Sequence, residues 1–138
     1  MTFRTKGYPM VAELVDPNVI AHDATTRSVD EIARYLQETL GQQIVAYVCG
    51  LKDPKMVGQW ARGKVEPRPP ADLRLRQAYE AVRLVAAAYG PGTAKAWLFG
   101  SNTRLDDEAP AYLLRYAKTF DAMRLIVPTA RAFVGGGF

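Results

Sequence analysis

Lysine, glutamine and arginine stand at positions 55, 59 and 62, the i, i+4 and i+7 spacing that lines one face of a helix. These side chains can read duplex DNA. A glutamine amide pairs with N6 and N7 of adenine, and arginine or lysine donates to guanine or to phosphate oxygen. Gln59 is therefore expected to contact adenine, and Arg62 or Lys55 guanine or a phosphate. Lys52, Lys64 and Arg68 flank them as contacts to the backbone, and Gln43 joins the same expected DNA-binding set. Catalytic chemistry is poorly supplied. One cysteine and one histidine provide neither a Cys/His pair nor a metal-ligand cluster, and no phosphate-cradling glycine pattern precedes a helix. Cys49 reads as a small core hydrophobe. The carboxylates at 106–108 read as negative charge at a helix start rather than as an acid/base pair. The chain is expected not to be an enzyme and to need no cofactor or metal.

A face of that kind has to be held by a scaffold, and the sequence spells one out between residues 42 and 64. Ile44, Val45 and Val48 give a short first helix an apolar stripe, and Gly50 allows the left-handed backbone that ends it. Asp53-Pro54 then restarts the chain, with a carboxylate N-cap followed by proline at the first helical position. Val57 and Trp60 turn inward from the second helix, leaving Lys55, Gln59 and Arg62 outside. Two short helices joined by a glycine turn make a helix-turn-helix whose second helix fits a major groove. Two short helices cannot bury a core alone. The stretch before them supplies a third: Ser28 and Glu31 form a capping box, and Val29, Ile32, Ala33, Leu36 and Leu40 recur at helical spacing.

Charge distribution points the same way. Between positions 52 and 76 lie seven basic residues and three acids, an excess equal to the net charge of +4 carried by all 138 residues. Such a cluster suits phosphate attraction and equally suits a solvated face. No apolar run approaches the ~18–20 residues of a membrane span, and the N-terminus lacks a signal-peptide core. A cytoplasmic location is expected, with no membrane partner.

The remaining segments divide the chain. Residues 1–27 read as an N-terminal arm or leader, broken by the Asp-Pro-Asn turn signal at 16–18, with order beginning at Ser28 and Val11 to Val15 packing somewhere. Residues 28–63 form the helix-turn-helix unit, and 64–71, with three prolines between 64 and 70, a stiff connector. Residues 72–138 form a second helical unit. Its long helix carries Leu75, Ala78, Tyr79, Val82, Val85, Ala86 and Tyr89 on one face, with Arg74, Arg76 and Arg83 off that face. A short helix from Thr93 with Trp97 and Leu98 follows, then a polar loop at 101–108, a helix over 109–123, a continuation toward Pro128 and a flexible glycine-rich tail. The expected fold class is all-α.

The second unit resembles a known pattern. The run WLFGSNTRLDDEAPAYLL, with Trp97-Leu98, a polar loop containing Leu105 and a proline leading into paired leucines, is similar to the toxin-binding domain of Xre/MbcA/ParS antitoxins. The upstream Trp60-Ala-Arg-Gly63 resembles the recognition helix those antitoxins carry. The resemblance spans roughly residues 28–134. It implies a type II antitoxin that neutralises a RES-domain, NAD-consuming toxin and represses its own operon, as a homodimer or a larger assembly with the toxin. On this chain it implies toxin contacts by Trp97, Leu98, Leu105 and Tyr112, of which Trp97 and Leu98 read by themselves as core, and by Arg131, Phe133 and Phe138 in a tail expected to be ordered only in complex. Two other classes stay open: an Xre-like transcription regulator whose second half only dimerises, and a protein-binding adaptor without DNA.

Overall fold

The computed structural model describes residues 16–136, which are helical with no β-strand among them. The helices are α1 (Pro17–Thr26), α2 (Val29–Leu40), α3 (Gln42–Cys49), α4 (Lys55–Ala61), α5 (Ala71–Tyr89), α6 (Pro91–Phe99), α7 (Pro110–Tyr116), α8 (Phe120–Met123) and α9 (Ile126–Val134), with a 3-10 turn at Thr103–Leu105. The all-α architecture expected from the sequence is the one observed. No helix among the described residues is long and apolar enough to cross a membrane.

The central element is α5. It packs against α1, α2, α3, α6 and α9, and it buries Ala81 and Leu84 as well as the stripe of Leu75, Ala78, Tyr79, Val82 and Val85. Tyr89 departs from the expected face and stays half exposed. One continuous core, from Ile20 in α1 to Ala130 in α9, runs through both the helix-turn-helix and the later helices.

Several boundaries differ from the sequence reading, each for a physical reason. Order does not begin at Ser28. Asp16 accepts the Asn18 N–H at 2.8 Å and Pro17 occupies the first helical position, so Asp-Pro starts α1 by the same device expected at Asp53-Pro54. Ile20 and Ala24 of α1 are buried on α5, and an Asp23–Arg83 ion pair of 2.7 Å secures the contact. The rest of the expected arm, with Val11 to Val15, lies outside the described residues. The acids at 106–108 do not form a helix start: Asp106 and Asp107 both take left-handed backbone in a loop closed by a bridge between Asn102 and Glu108. The helix expected over 109–123 breaks after Tyr116, because Ala117 turns to extended backbone before Thr119 caps α8.

The Ser28 capping box is present with both of its reciprocal bonds. Pro128 lies in the first turn of α9, where its missing N–H leaves no helical bond unmade. Phe133 and Arg131 are not tail residues. Phe133 meets the Tyr89 ring edge-on at 5.5 Å between centroids, and Arg131 pairs with Glu80 at 3.4 Å, fastening α9 to α5. The Glu80 carboxyl is raised above the usual range by burial, an effect that Arg131 opposes. Phe138 lies outside the described residues.

Candidate nucleic-acid interface

The geometry of the helix-turn-helix is set by paired caps. At the end of α3, Gly50 has φ +79°, its N–H donates to the Tyr47 carbonyl at 3.1 Å, and the Leu51 N–H donates to the Ala46 carbonyl at 2.8 Å. The end of α4 repeats the arrangement, with Gly63 at φ +70°, Gly63 N–H to Trp60 at 2.9 Å and Lys64 N–H to Gln59 at 3.0 Å. Both are six-to-one, five-to-two closures that satisfy carbonyls a helix end would otherwise leave open. The Asp53 carboxylate accepts the Lys55 N–H at 3.0 Å, but the helix starts one residue later than expected, with Pro54 at the cap position and Lys55 first in α4.

Four arginines complete the frame, and their role is not visible in the sequence pattern. Arg34 donates to the Ala61 carbonyl at 2.9 Å, at the end of α4. Arg74 donates through Nη1 to the Cys49 carbonyl at 3.0 Å and through Nε to the Ala117 carbonyl at 2.9 Å. Arg115 donates to the Tyr47 carbonyl at 2.8 Å and lies 4.6 Å over the Tyr47 ring. Arg76 reaches the Ala24 and Arg27 carbonyls, both at 3.0 Å, at the end of α1. Each guanidinium meets the negative end of a helix, where positive charge is favoured. The reading of Arg74 and Arg76 as phosphate-attracting charge is therefore corrected: both side chains are turned inward onto backbone.

What remains is a set of five cations. Among the described residues, the side chains of Lys52, Lys55, Arg62, Lys64 and Arg68 form no hydrogen bond or ion pair, and all five are exposed. Gln59 is half-buried and Gln43 exposed. Val57, Trp60 and Ala61 hold the opposite side of α4 in the core. Gly58 permits a close crossing: a Cβ there would stand 2.8 Å from Gln42 Nε2 and 3.3 Å from Arg62 Nη1. Gln42 is itself fixed by a 2.7 Å bond to Gln37, so Arg62 lies where α4 passes the start of α3.

The expected toxin contacts separate. Trp97 is 6% exposed, Leu98 is fully buried and Leu105 is buried, so these three pack inside the chain rather than on a surface for a partner. Trp97 lines a cavity of about 390 Å³ with Thr129 and Phe133, and its indole N–H has no partner among the described residues. Phe133 and Arg131 are tied to α5 as described. Tyr112 is 46% exposed and stands 4.7 Å from Tyr116, itself 58% exposed, beside a cavity of about 410 Å³ that Asp106 and Glu108 also line. Tyr116 was missed by sequence reasoning, although its place four residues after Tyr112 was the available signal, and Phe120, an apolar residue of the helix expected over 109–123, is 57% exposed at the start of α8.

Cys49 is fully buried, and burial pushes its thiol from an ordinary 9.0 up to about 12, with Arg74 opposing the rise. A thiol so placed is protonated and unreactive at neutral pH. Because the folded state holds this proton after the unfolded chain has released it, stability falls as pH rises through the window from 9.0 to about 12. Denaturant titrations in that window should show the wild type losing up to about 1.4 kcal/mol per pH unit more than Cys49→Ala. Equal alkaline slopes would show that the thiol titrates normally. Among the described residues no group of three or more His, Cys, Asp or Glu side chains can hold a metal ion. Set against family models, curated proteins and solved structures, the chain finds no match.

Proposed function

We propose that this chain is a DNA-binding antitoxin: it binds operator DNA through α4 and neutralises a RES-type toxin through its C-terminal helices. The observation that carries the DNA half is the division among its cations. Arginines that cap helices are engaged, whereas Lys52, Lys55, Arg62, Lys64 and Arg68 are exposed and unengaged over one turn, one helix and the connector after it. Unpaired cations beside the half-exposed Gln59 suit phosphate and base edges better than they suit a core-facing hairpin. The toxin half rests on the resemblance of residues 28–134, and its surface is Tyr112, Tyr116 and Phe120 rather than the buried Trp97 and Leu98.

Two measurements test it. Fluorescence anisotropy on the DNA upstream of the chain's own gene should give specific binding whose log-log salt slope flattens by about 1 in Lys64→Ala, with sequence preference retained. Absence of any salt-dependent binding would overturn the DNA half. Native mass spectrometry after capture from the host should show a near-stoichiometric companion released only by denaturant. A bare homodimer that still binds the upstream DNA would leave a plain Xre-like regulator.

A further inference from the structure

A third cavity, of about 440 Å³, lies between the helix-turn-helix and the connector, and its size falls within the range of small-molecule sites. Its walls are largely apolar, with Leu51, Met56, Trp60, Val65 and the prolines of the connector around Arg74. Arg74 is only 9% exposed, yet among the described residues no carboxylate lies within ion-pair distance of it. Its two hydrogen bonds, to the Cys49 and Ala117 carbonyls, use two of five guanidinium N–H donors. A buried positive charge without a counter-ion is costly unless an anion meets it. Gly50 keeps this corner open, since a Cβ there would collide with the guanidinium. The other charged residues lining the cavity, Arg68 and Glu66, are both exposed, and Arg115 adds positive charge near Arg74.

We propose that this cavity binds a small organic carboxylate, its anionic head on Arg74 and its apolar body against Met56, Leu51 and Val65. The apolar walls favour a hydrocarbon body over a hydrated inorganic anion, and a planar carboxylate matches the guanidinium fork. Met56 and Trp60 belong to α4, so an occupant bears directly on the helix assigned to DNA; that consequence rests on the DNA-binding reading, whereas the site itself does not.

The test therefore uses the full chain without DNA. Benzoate is titrated into 15N-labelled protein, with benzamide as the neutral isostere. Benzoate should give saturable shifts at the Gly50, Leu51 and Met56 amides and at the Trp60 indole, with benzamide binding at least about tenfold more weakly. Ala71→Leu, which adds bulk to the cavity wall and leaves the Arg74 side chain unchanged, should abolish both sets of shifts. Equal binding of benzoate and benzamide, shifts that survive Ala71→Leu, or no shift at those residues up to about 10 mM of either benzoate or hexanoate would overturn the proposal.

Discussion

Arg74→Met should lower the stability of the chain by about 3–5 kcal/mol. The side chain is 9% exposed and joins two helix ends that are far apart in sequence, through the Cys49 carbonyl of α3 and the Ala117 carbonyl at the end of α7. Methionine fills much of the same volume but donates nothing, so two buried carbonyls lose their donors together. Burial already depresses the Arg74 pKa, an effect opposed by Cys49 and reinforced by Arg115, yet guanidinium stays charged at any accessible pH. The native state therefore carries a desolvation cost that only the two helix dipoles offset. For a domain whose total stability is ~5–15 kcal/mol, such a loss removes a large share. In urea the midpoint should fall with the m-value unchanged, and the melting temperature should drop by roughly 10 °C. Arg76→Met, which frees the more exposed Ala24 and Arg27 carbonyls, should cost only about 1–2 kcal/mol because water can reach them. Equal effects of the two substitutions would show that water from the adjoining cavity reaches the Cys49 and Ala117 carbonyls.

The contrast between these arginines marks where sequence reading succeeds and where it stops. The turn at Gly50, the start at Asp53-Pro54, the Ser28 capping box and the long α5 were legible because each depends on residues within four positions of one another. Arg74 was not. Its partners lie 25 and 43 residues away, so its inward orientation depends on how α3, α5 and α7 meet. A helical wheel places it beside the apolar face, and nothing local separates a phosphate-binding arginine from a capping one. Trp97 and Leu98 read as core from the sequence and are buried, whereas their role as toxin contacts was only what the family resemblance implied. Asp16-Pro17 is a different case: the signal for α1 was present and local, and it was read as a turn because the apolar residues after it lack a long period. The candidate DNA face was the most legible part, because exposed cations on a short helix are defined by what they do not face.

Gln59→Ala tests that face with the least disturbance of the fold. Alanine is the best helix former, Gln59 makes no side-chain hydrogen bond among the described residues, and the Lys64 N–H bond to the Gln59 carbonyl involves backbone only. Stability should therefore stay within about 0.5 kcal/mol of wild type. Affinity for the preferred operator should fall by ~1–3 kcal/mol, the worth of one bidentate base contact, with relaxed preference at a single adenine-containing base pair. Binding to unrelated DNA, and the salt slope, should not change, because no phosphate contact is lost. The position of Arg62 sharpens the expectation. Its guanidinium lies near Gly58 and Gln42, where α4 crosses the start of α3, so Arg62, although exposed, stands at the edge of the helix face that carries exposed Lys55 and half-buried Gln59. Anisotropy titrations against an operator set with each base pair substituted in turn would resolve this. A uniform loss across all sequences would move Gln59 from base to phosphate. Unaltered binding to every sequence would remove α4 from the interface, and the exposed cations of the turn and connector would then be a solvated face.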